Sequence, residues 1–167
     1  MTRCDLNLGF IGLGAIGRPM AANLCRSGFL LNVHTRNRSA ETAPELQEAR
    51  SCASPAEAAE AVDVLLICVS DDQAVETVLF GSDGAASTLR PGSVVVDCST
   101  IAPATAMACA KRLALQGVHY LDAPVTGGTE GAKAGTLTLL VGGESSVLAS
   151  VRPVLEVIGS TIHHFGP

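Results

Sequence analysis

Three glycines near the amino terminus have the spacing of a phosphate-binding turn. The turn comprises Gly12, Leu13, Gly14, Ala15, Ile16 and Gly17. It follows an apolar run and opens a segment with helical periodicity. In such a turn the first glycine permits a sharp bend, the second lets the backbone approach a pyrophosphate, and the third allows close helix packing. The helix amino end attracts the anion. The pattern predicts dinucleotide binding, with a purely structural turn as the alternative.

The residues after the second apolar run indicate which dinucleotide would bind. An NAD site has an acidic residue about 20 positions beyond the glycines, where it holds the ribose 2′-hydroxyl. This chain has Thr35, Arg36 and Asn37 there, followed by Arg38, and the first acid is Glu41. A guanidinium can bind a 2′-phosphate through two parallel hydrogen bonds. Arg36 therefore favours NADP over NAD, and a solvated arginine loop is the alternative.

Two later segments place hydroxyl groups and glycines directly after apolar runs. They are Asp97–Pro103 and Asp122–Gly128. Hydroxyls and bare glycine amides at the carboxyl ends of parallel strands are suited to an anionic ligand. The candidates are Ser99, Thr100, Thr126, Gly127 and Gly128. The alternatives are a helix cap for the two hydroxyls after Asp97 and a simple turn for the two glycines. We expect both aspartates to bind backbone groups and play structural roles.

Apolar runs and helical segments alternate along the whole sequence. Strands are predicted at 6–11, 30–35, 64–69, 94–96, 118–121, 136–141 and 161–165. Helices are predicted at 16–28, 44–50, from 54 onward, 73–80, 103–116 and 144–151, and the segment around Lys133 is predicted to be a loop. Continuous apolar strands separated by helices indicate an α/β, Rossmann-type, doubly wound and mainly parallel sheet. Without a repeat or linker, one dinucleotide-binding domain is expected over residues 1–167.

Composition excludes several other classes of protein. The chain is 47% hydrophobic and only 16% charged, with a net charge of −5, so disorder and nucleic-acid binding are not expected. The aliphatic runs are too short to span a membrane. The six cysteines form no Cys-x-x-Cys pair, and no metal site is expected. Free thiols and the absence of a visible leader favour a cytoplasmic location.

Three ordered motifs together resemble one enzyme family over nearly the entire chain. They are the stretch 12–21, GLGAIGRPMA; the Asp97 segment, DCSTIAP; and the Asp122 segment, DAPVTGG, continued by GAKAGTL at 131–137. These closely resemble the β-hydroxyacid dehydrogenases, which include 3-hydroxyisobutyrate dehydrogenases and tartronate semialdehyde or glyoxylate reductases.

The resemblance implies roles for particular residues. The glycine turn would bind the pyrophosphate, while Val69, Ser70 and Ala74 would border the adenosine side. At the nicotinamide, Ser99 would contact the substrate and Thr100 the cofactor. The family's Ser-Gly-Gly turn, which contacts the substrate carboxylate, reads Thr126-Gly127-Gly128 here. Threonine keeps the hydroxyl but adds a methyl group, so the substrate that fits could differ in size.

The resemblance also implies what this chain lacks. The family's catalytic lysine would lie beyond Pro167, as would a helical domain that closes the site and forms most of the dimer contact. The positive mean hydropathy fits an interface left uncovered. We therefore expect the NADP-binding half of a homo-oligomeric oxidoreductase, which transfers hydride between the cofactor and a small 3-hydroxy acid or semialdehyde. The fragment alone would be inactive. An imine reductase and a non-catalytic nucleotide-binding module are the alternatives.

Overall fold

Six short strands form the central sheet of the computed structural model, which describes residues 6–167. They are β1 (Asn7–Ile11), β2 (Leu30–His34), β3 (Arg50–Ser51), β4 (Val64–Ile67), β5 (Val94–Asp97) and β6 (His119–Asp122). All pairings are parallel, and the order across the sheet is β3-β2-β1-β4-β5-β6. The chain runs outward from β1 to one edge and from β4 to the other. This is the doubly wound Rossmann order, and it confirms the predicted fold class.

Helices cover both faces of this sheet. They are α1 (Gly17–Arg26), α2 (Pro55–Ala58), α3 (Asp72–Phe80), α4 (Pro103–Ala114), α5 (Gly128–Ala134) and α6 (Ser145–Ile158). Alternate residues of the central strands point to opposite faces. Phe10 and Leu66 join the apolar core beneath α1 and α6, whereas Ile11 and Ile67 join the core beneath α3 and α4. Burial on both sides explains why these strands are apolar throughout.

A second, smaller sheet follows the main one. Its strands are β7 (Val125–Thr126), β8 (Leu137–Val141) and β9 (Gly159–His164). β8 pairs with β7 in antiparallel and with β9 in parallel orientation. A bridge between Asp122 and Gly142 connects it to β6. The later strands were predicted, but their separation into a second sheet and the existence of β7 were not.

Three local predictions were wrong. The helix expected over 44–50 is a single 3-10 turn, Pro44–Leu46, followed by edge strand β3. The expected loop around Lys133 is helix α5, whose Ala132 is buried despite a glycine-rich sequence of low helix propensity. Helix α6 continues to Ile158 through Pro153 instead of ending near 151. Its buried apolar face extends along both halves of the helix and offsets the hydrogen bond that the proline removes.

Candidate dinucleotide-binding site

The carboxyl ends of the central strands bring the predicted site loops together. The ladder of the sheet extends one residue beyond the strands. The Gly12 amide donates to the His34 carbonyl at 2.9 Å, and the Cys68 amide donates to the Ile11 carbonyl at 2.9 Å. The loops after β1, β2 and β4 are therefore neighbours. The strand order reverses between β1 and β4, which is where open parallel sheets form a ligand-binding crevice.

The three glycines of the Gly12–Gly17 turn differ in how closely protein atoms surround them. A Cβ on Gly12, whose φ is +101°, would lie 2.1 Å from the Cys68 carbonyl oxygen. A Cβ on Gly17 would lie 1.9 Å from the Gly12 carbonyl oxygen. Gly14 differs, because a Cβ there would meet no atom within 4 Å. Two glycines are thus required by packing, while the third leaves backbone open beside the amino end of α1, where amides lack helical partners.

The loop that follows β2 contains a buried acid, Glu41, for which the sequence predicted no role. The Glu41 side chain is almost completely buried. Its carboxylate accepts hydrogen bonds from the Thr35 amide at 3.0 Å, from Arg38 Nε at 2.8 Å and from the Ser51 hydroxyl. Glu41 therefore fixes the shape of this loop from inside. Arg36, in contrast, is exposed.

Asn37 shapes the same loop. Its side-chain oxygen accepts from the Ser39 amide at 3.3 Å and from the Ser39 hydroxyl at 2.8 Å. It thereby caps the 3-10 turn Arg38–Thr42. Thr35 is half-buried, and its amide donates to the Glu41 carboxylate. The two residues that flank Arg36 are thus both held by hydrogen bonds.

The loop after β4 is organised by Asp71, which caps α3. One carboxylate oxygen accepts from the Ala74 amide at 2.8 Å, and the other accepts from the Ser70 hydroxyl at 2.7 Å. The hydrogen bond from Ser70 is the main cause that lowers the pKa of Asp71. The hydrogen bond from the Ala74 amide and the charge of Arg36 lower it by smaller amounts. Val69 lies next to Gly12, with its Cγ1 3.0 Å from the position of a Gly12 Cβ.

The segment after β5 faces inward at Ser99 and outward at Thr100. Ser99 is buried, and its hydroxyl oxygen accepts from the Val69 amide at 3.0 Å. Thr100 is exposed. Helix α4 has Ala102 at its N-cap position, without a side-chain cap. The alternative in which Ser99 and Thr100 cap this helix is therefore not observed.

The Thr126-Gly127-Gly128 turn joins β7 to α5. Thr126 is exposed, and the two glycines have φ angles of +130° and +62°, a region that favours residues without a Cβ. Helix α5 is anchored to α1 because Asn23 Nδ2 donates to the Ala132 carbonyl at 2.8 Å. The glycine turn and the Thr126 turn thus lie at the starts of two helices that pack together.

Two neighbouring acids end β5 and β6 in register. Burial raises the pKa of Asp97, which accepts from the Ser99 amide at 2.9 Å and the Tyr120 hydroxyl at 2.8 Å. Burial, which is the larger cause, and the charge of Asp97 together raise the pKa of Asp122 to about 6. The structural role expected for Asp97 is confirmed by its bond to the Ser99 backbone.

Neither a membrane-spanning helix nor a metal cluster is found in the described part of the chain. Over residues 6–167, no helix is long and apolar enough to cross a bilayer. In the same residues, His, Cys, Asp and Glu side chains do not gather in any group of three or more that could hold a metal ion.

Sequence reasoning missed three residues that shape the site: Glu41, Asp71 and Asn23. Asp71 could have been recognised, because an aspartate directly before a helical segment is a common N-cap. Glu41 and Asn23 gave no such signal, since each also binds a residue that only the fold brings near, Ser51 for Glu41 and Ala132 for Asn23.

A parallel sheet of this order, with a glycine turn at its crevice, defines a Rossmann-type NAD(P)-binding domain. The family described as the NAD binding domain of 6-phosphogluconate dehydrogenase matches residues 7–166. The chain belongs to this family.

Individual relatives agree with this assignment. The chain is 40% identical over 162 residues to 2-(hydroxymethyl)glutarate dehydrogenase from Eubacterium barkeri, covering 97% of this chain and 54% of that protein. The structure of Mycobacterium tuberculosis 3-hydroxyisobutyrate dehydrogenase with L-serine is 32% identical, with a TM-score of 0.90, over 96% of this chain and 54% of that one. A Streptomyces aurantiacus imine reductase is 28% identical, with a TM-score of 0.85, over 96% and 55% of the two chains. The chain spans about half the length of the relatives it matches.

Proposed function

We propose that this chain is the NADP-binding half of a hydroxyacid dehydrogenase or reductase. The reaction would transfer a hydride between the nicotinamide and a small 3-hydroxy acid or semialdehyde. The observation that carries the proposal is the glycine turn, in which packing requires Gly12 and Gly17 while Gly14 leaves open backbone at the crevice. Similarity to dehydrogenases of small hydroxy acids supports the reaction class, and it exceeds the similarity to the imine reductase.

The preference for NADP rests on the different environments of Glu41 and Arg36 in the loop after β2. The Glu41 carboxylate is buried and already accepts three hydrogen bonds, so it does not present an acceptor to a ribose hydroxyl. The exposed Arg36 guanidinium would instead bind the 2′-phosphate, flanked by Thr35 and Asn37. A carboxylate at the position of Arg36 would repel that phosphate, whereas a guanidinium attracts it.

The substrate side of the site would use hydroxyls and amides. Thr126, Gly127 and Gly128 would contact the substrate carboxylate, and Thr100 would lie at the nicotinamide. Ser99 would act at the substrate end of the same segment. When bound, the nicotinamide supplies the hydride acceptor or donor. A general base or acid must then move the hydroxyl proton. We propose a lysine for this role in the part of the longer relatives that this chain does not match.

The chain alone would therefore bind the cofactor without turnover. In the longer protein, a helical domain and a second subunit would close the site, which would be assembled only there. Hydroxyacid oxidation by the pure 167-residue chain would contradict this proposal.

The cofactor preference can be tested with one matched pair of variants. Arg36→Ala removes the proposed phosphate ligand, and Arg90→Ala removes an exposed arginine from the turn before β5, at the amino ends of the strands and away from the crevice. Affinities for NADPH and NADH are measured by titration of each variant. Arg36→Ala should weaken NADPH binding by about tenfold or more, because the lost hydrogen bonds to the 2′-phosphate are charge-assisted. The affinity for NADH, which lacks this phosphate, should change little. Equal losses for both dinucleotides, or none, would refute the assignment, and Arg90→Ala should match wild type.

A further inference from the structure

A fully buried carboxylate lies between two of the site loops without a cationic partner among the contacts of the described residues. Asp97, the last residue of β5, is 0% exposed. Its Oδ1 accepts from the Ser99 amide at 2.9 Å, and its Oδ2 accepts from the Tyr120 hydroxyl at 2.8 Å. Burying a carboxylate is costly unless its oxygens are hydrogen-bonded. The neighbouring Asp122 carries a like charge, so it does not offset the cost of burying Asp97.

Ser99 connects this carboxylate to the loop after β4. Its amide donates to Asp97 Oδ1 at 2.9 Å, and its hydroxyl oxygen accepts from the Val69 amide at 3.0 Å. Since Ser99 is only 2% exposed, its side chain acts inside the protein and ties one loop to the other.

The linked loops are the two that border opposite ends of the proposed cofactor. Val69 adjoins Gly12 at the pyrophosphate turn and continues into Ser70. Ser99 continues into Thr100, which faces outward. A shift of the Ser99 segment would therefore move the Val69 loop against the glycine turn.

We infer that Asp97 is a positioning residue, which sets the spacing of the Val69 and Thr100 loops for dinucleotide binding by holding Ser99, with Tyr120 holding Asp97 in turn. The inference rests on the proposed function and deepens it, because it adds a positioning role for Ser99 inside the protein to the substrate-side role proposed for its segment. An asparagine could not replace Asp97. Its amide nitrogen cannot accept a hydrogen bond, so either the Ser99 amide or the Tyr120 hydroxyl would lose its acceptor.

Two variants test this inference against a matched control. Tyr120→Phe deletes the hydroxyl that supports Asp97, and Asp97→Asn removes one acceptor. The control, Thr88→Val, also deletes one hydroxyl. That hydroxyl donates to the Ala56 carbonyl at a distance of 2.7 Å, and it does not belong to either of these loops. Each variant is assayed under conditions in which it is folded, by NADPH titration and by amide hydrogen exchange.

The expected results separate positioning from general stability. Tyr120→Phe should weaken NADPH binding several-fold and Asp97→Asn by about tenfold, whereas Thr88→Val should match wild type. Exchange protection of the Val69 amide should fall in both site variants, while that of the Cys68 amide, which is bonded to Ile11, should be retained. If Asp97→Asn does not fold, Tyr120→Phe carries the test.

The two readouts also distinguish failure of this inference from failure of the proposed function. Wild-type affinity and unchanged Val69 protection in Tyr120→Phe would overturn the positioning role. Loss of Val69 protection without loss of affinity would overturn it as well. A wild-type chain that binds no NADPH would contradict the proposed function, and the Val69 protection would then still decide whether Asp97 holds the two loops together.

Discussion

Replacing Gly14 by alanine should abolish most dinucleotide binding while leaving the protein folded. An added Cβ would meet no protein atom within 4 Å, and Gly14 is not among the residues with positive φ. Alanine should therefore leave stability unchanged or raise it by up to about 1 kcal/mol, because it restricts the unfolded chain. The same methyl group would fill the space through which the pyrophosphate approaches the backbone. Loss of that approach should cost at least about 1.4 kcal/mol of binding free energy, or about tenfold in affinity.

The assay combines chemical unfolding with NADPH titration on the same preparations. Gly142→Ala is the matched control, because a Cβ there would meet only the Gly166 carbonyl oxygen, at 3.9 Å, and its φ is also not positive. It should fold and bind as wild type does. Gly14→Ala with wild-type affinity would show that the phosphates do not approach this backbone. Unfolding of Gly14→Ala would show that the space is already filled.

Three further changes should separate packing, charge and loop shape, each followed by urea unfolding. Gly17→Ala should destabilise the chain by several kcal/mol, because its Cβ would lie 1.9 Å from the Gly12 carbonyl oxygen. Glu41→Gln should cost about 1–3 kcal/mol, since it leaves part-buried donors, the Thr35 amide and Arg38 Nε, without their charged acceptor. Asp122→Asn should stabilise the chain at about pH 8, on the order of 1–2 kcal/mol, and leave it unchanged near pH 4.

The sign of the Asp122 effect follows from its raised pKa. The folded state holds the proton more tightly than the unfolded chain, whose pKa is near 3.8. Wild-type stability from this group therefore falls as the pH rises between about 4 and 6 and stays low above that range. A variant that shows the same pH dependence as wild type would contradict the assignment. Wild-type stability of Gly17→Ala would contradict the close packing of Gly17 against the Gly12 carbonyl. Wild-type stability of Glu41→Gln would contradict the stabilising role of the Glu41 hydrogen bonds.

The main sheet could be predicted because its signals are local. Each central strand is a continuous apolar run, and strands buried on both faces require this pattern. The Gly12–Gly17 turn was recognisable because each glycine has a separate physical reason that no other residue satisfies. The crevice followed from combining the two.

The remaining elements depend on tertiary contacts that leave little trace in sequence. Strand β7 has only two residues, too few to show alternation. Helix α5 contains two glycines and forms against α1, where Asn23 binds the Ala132 carbonyl. Helix α6 crosses Pro153 because packing outweighs one lost hydrogen bond.

The site shows the same division between local and distant information. The residue types at Arg36 and Thr126 could be interpreted from their positions after strands. The burial of Glu41 could not, because its acceptor role depends on Ser51, which the fold brings beside it. Ser99 was predicted as part of the site segment, and its burial is visible only in the structure.

Direct titration of the 167-residue chain with NADPH and NADH tests whether it binds NADP(H) at the Gly12–Gly17 crevice. The readout is the midpoint of thermal unfolding. Ligand at a hundred times its Kd should add about 2.7 kcal/mol of stability. We expect that both dinucleotides raise the midpoint and that NADPH does so at lower concentration. A midpoint that neither dinucleotide shifts would contradict it.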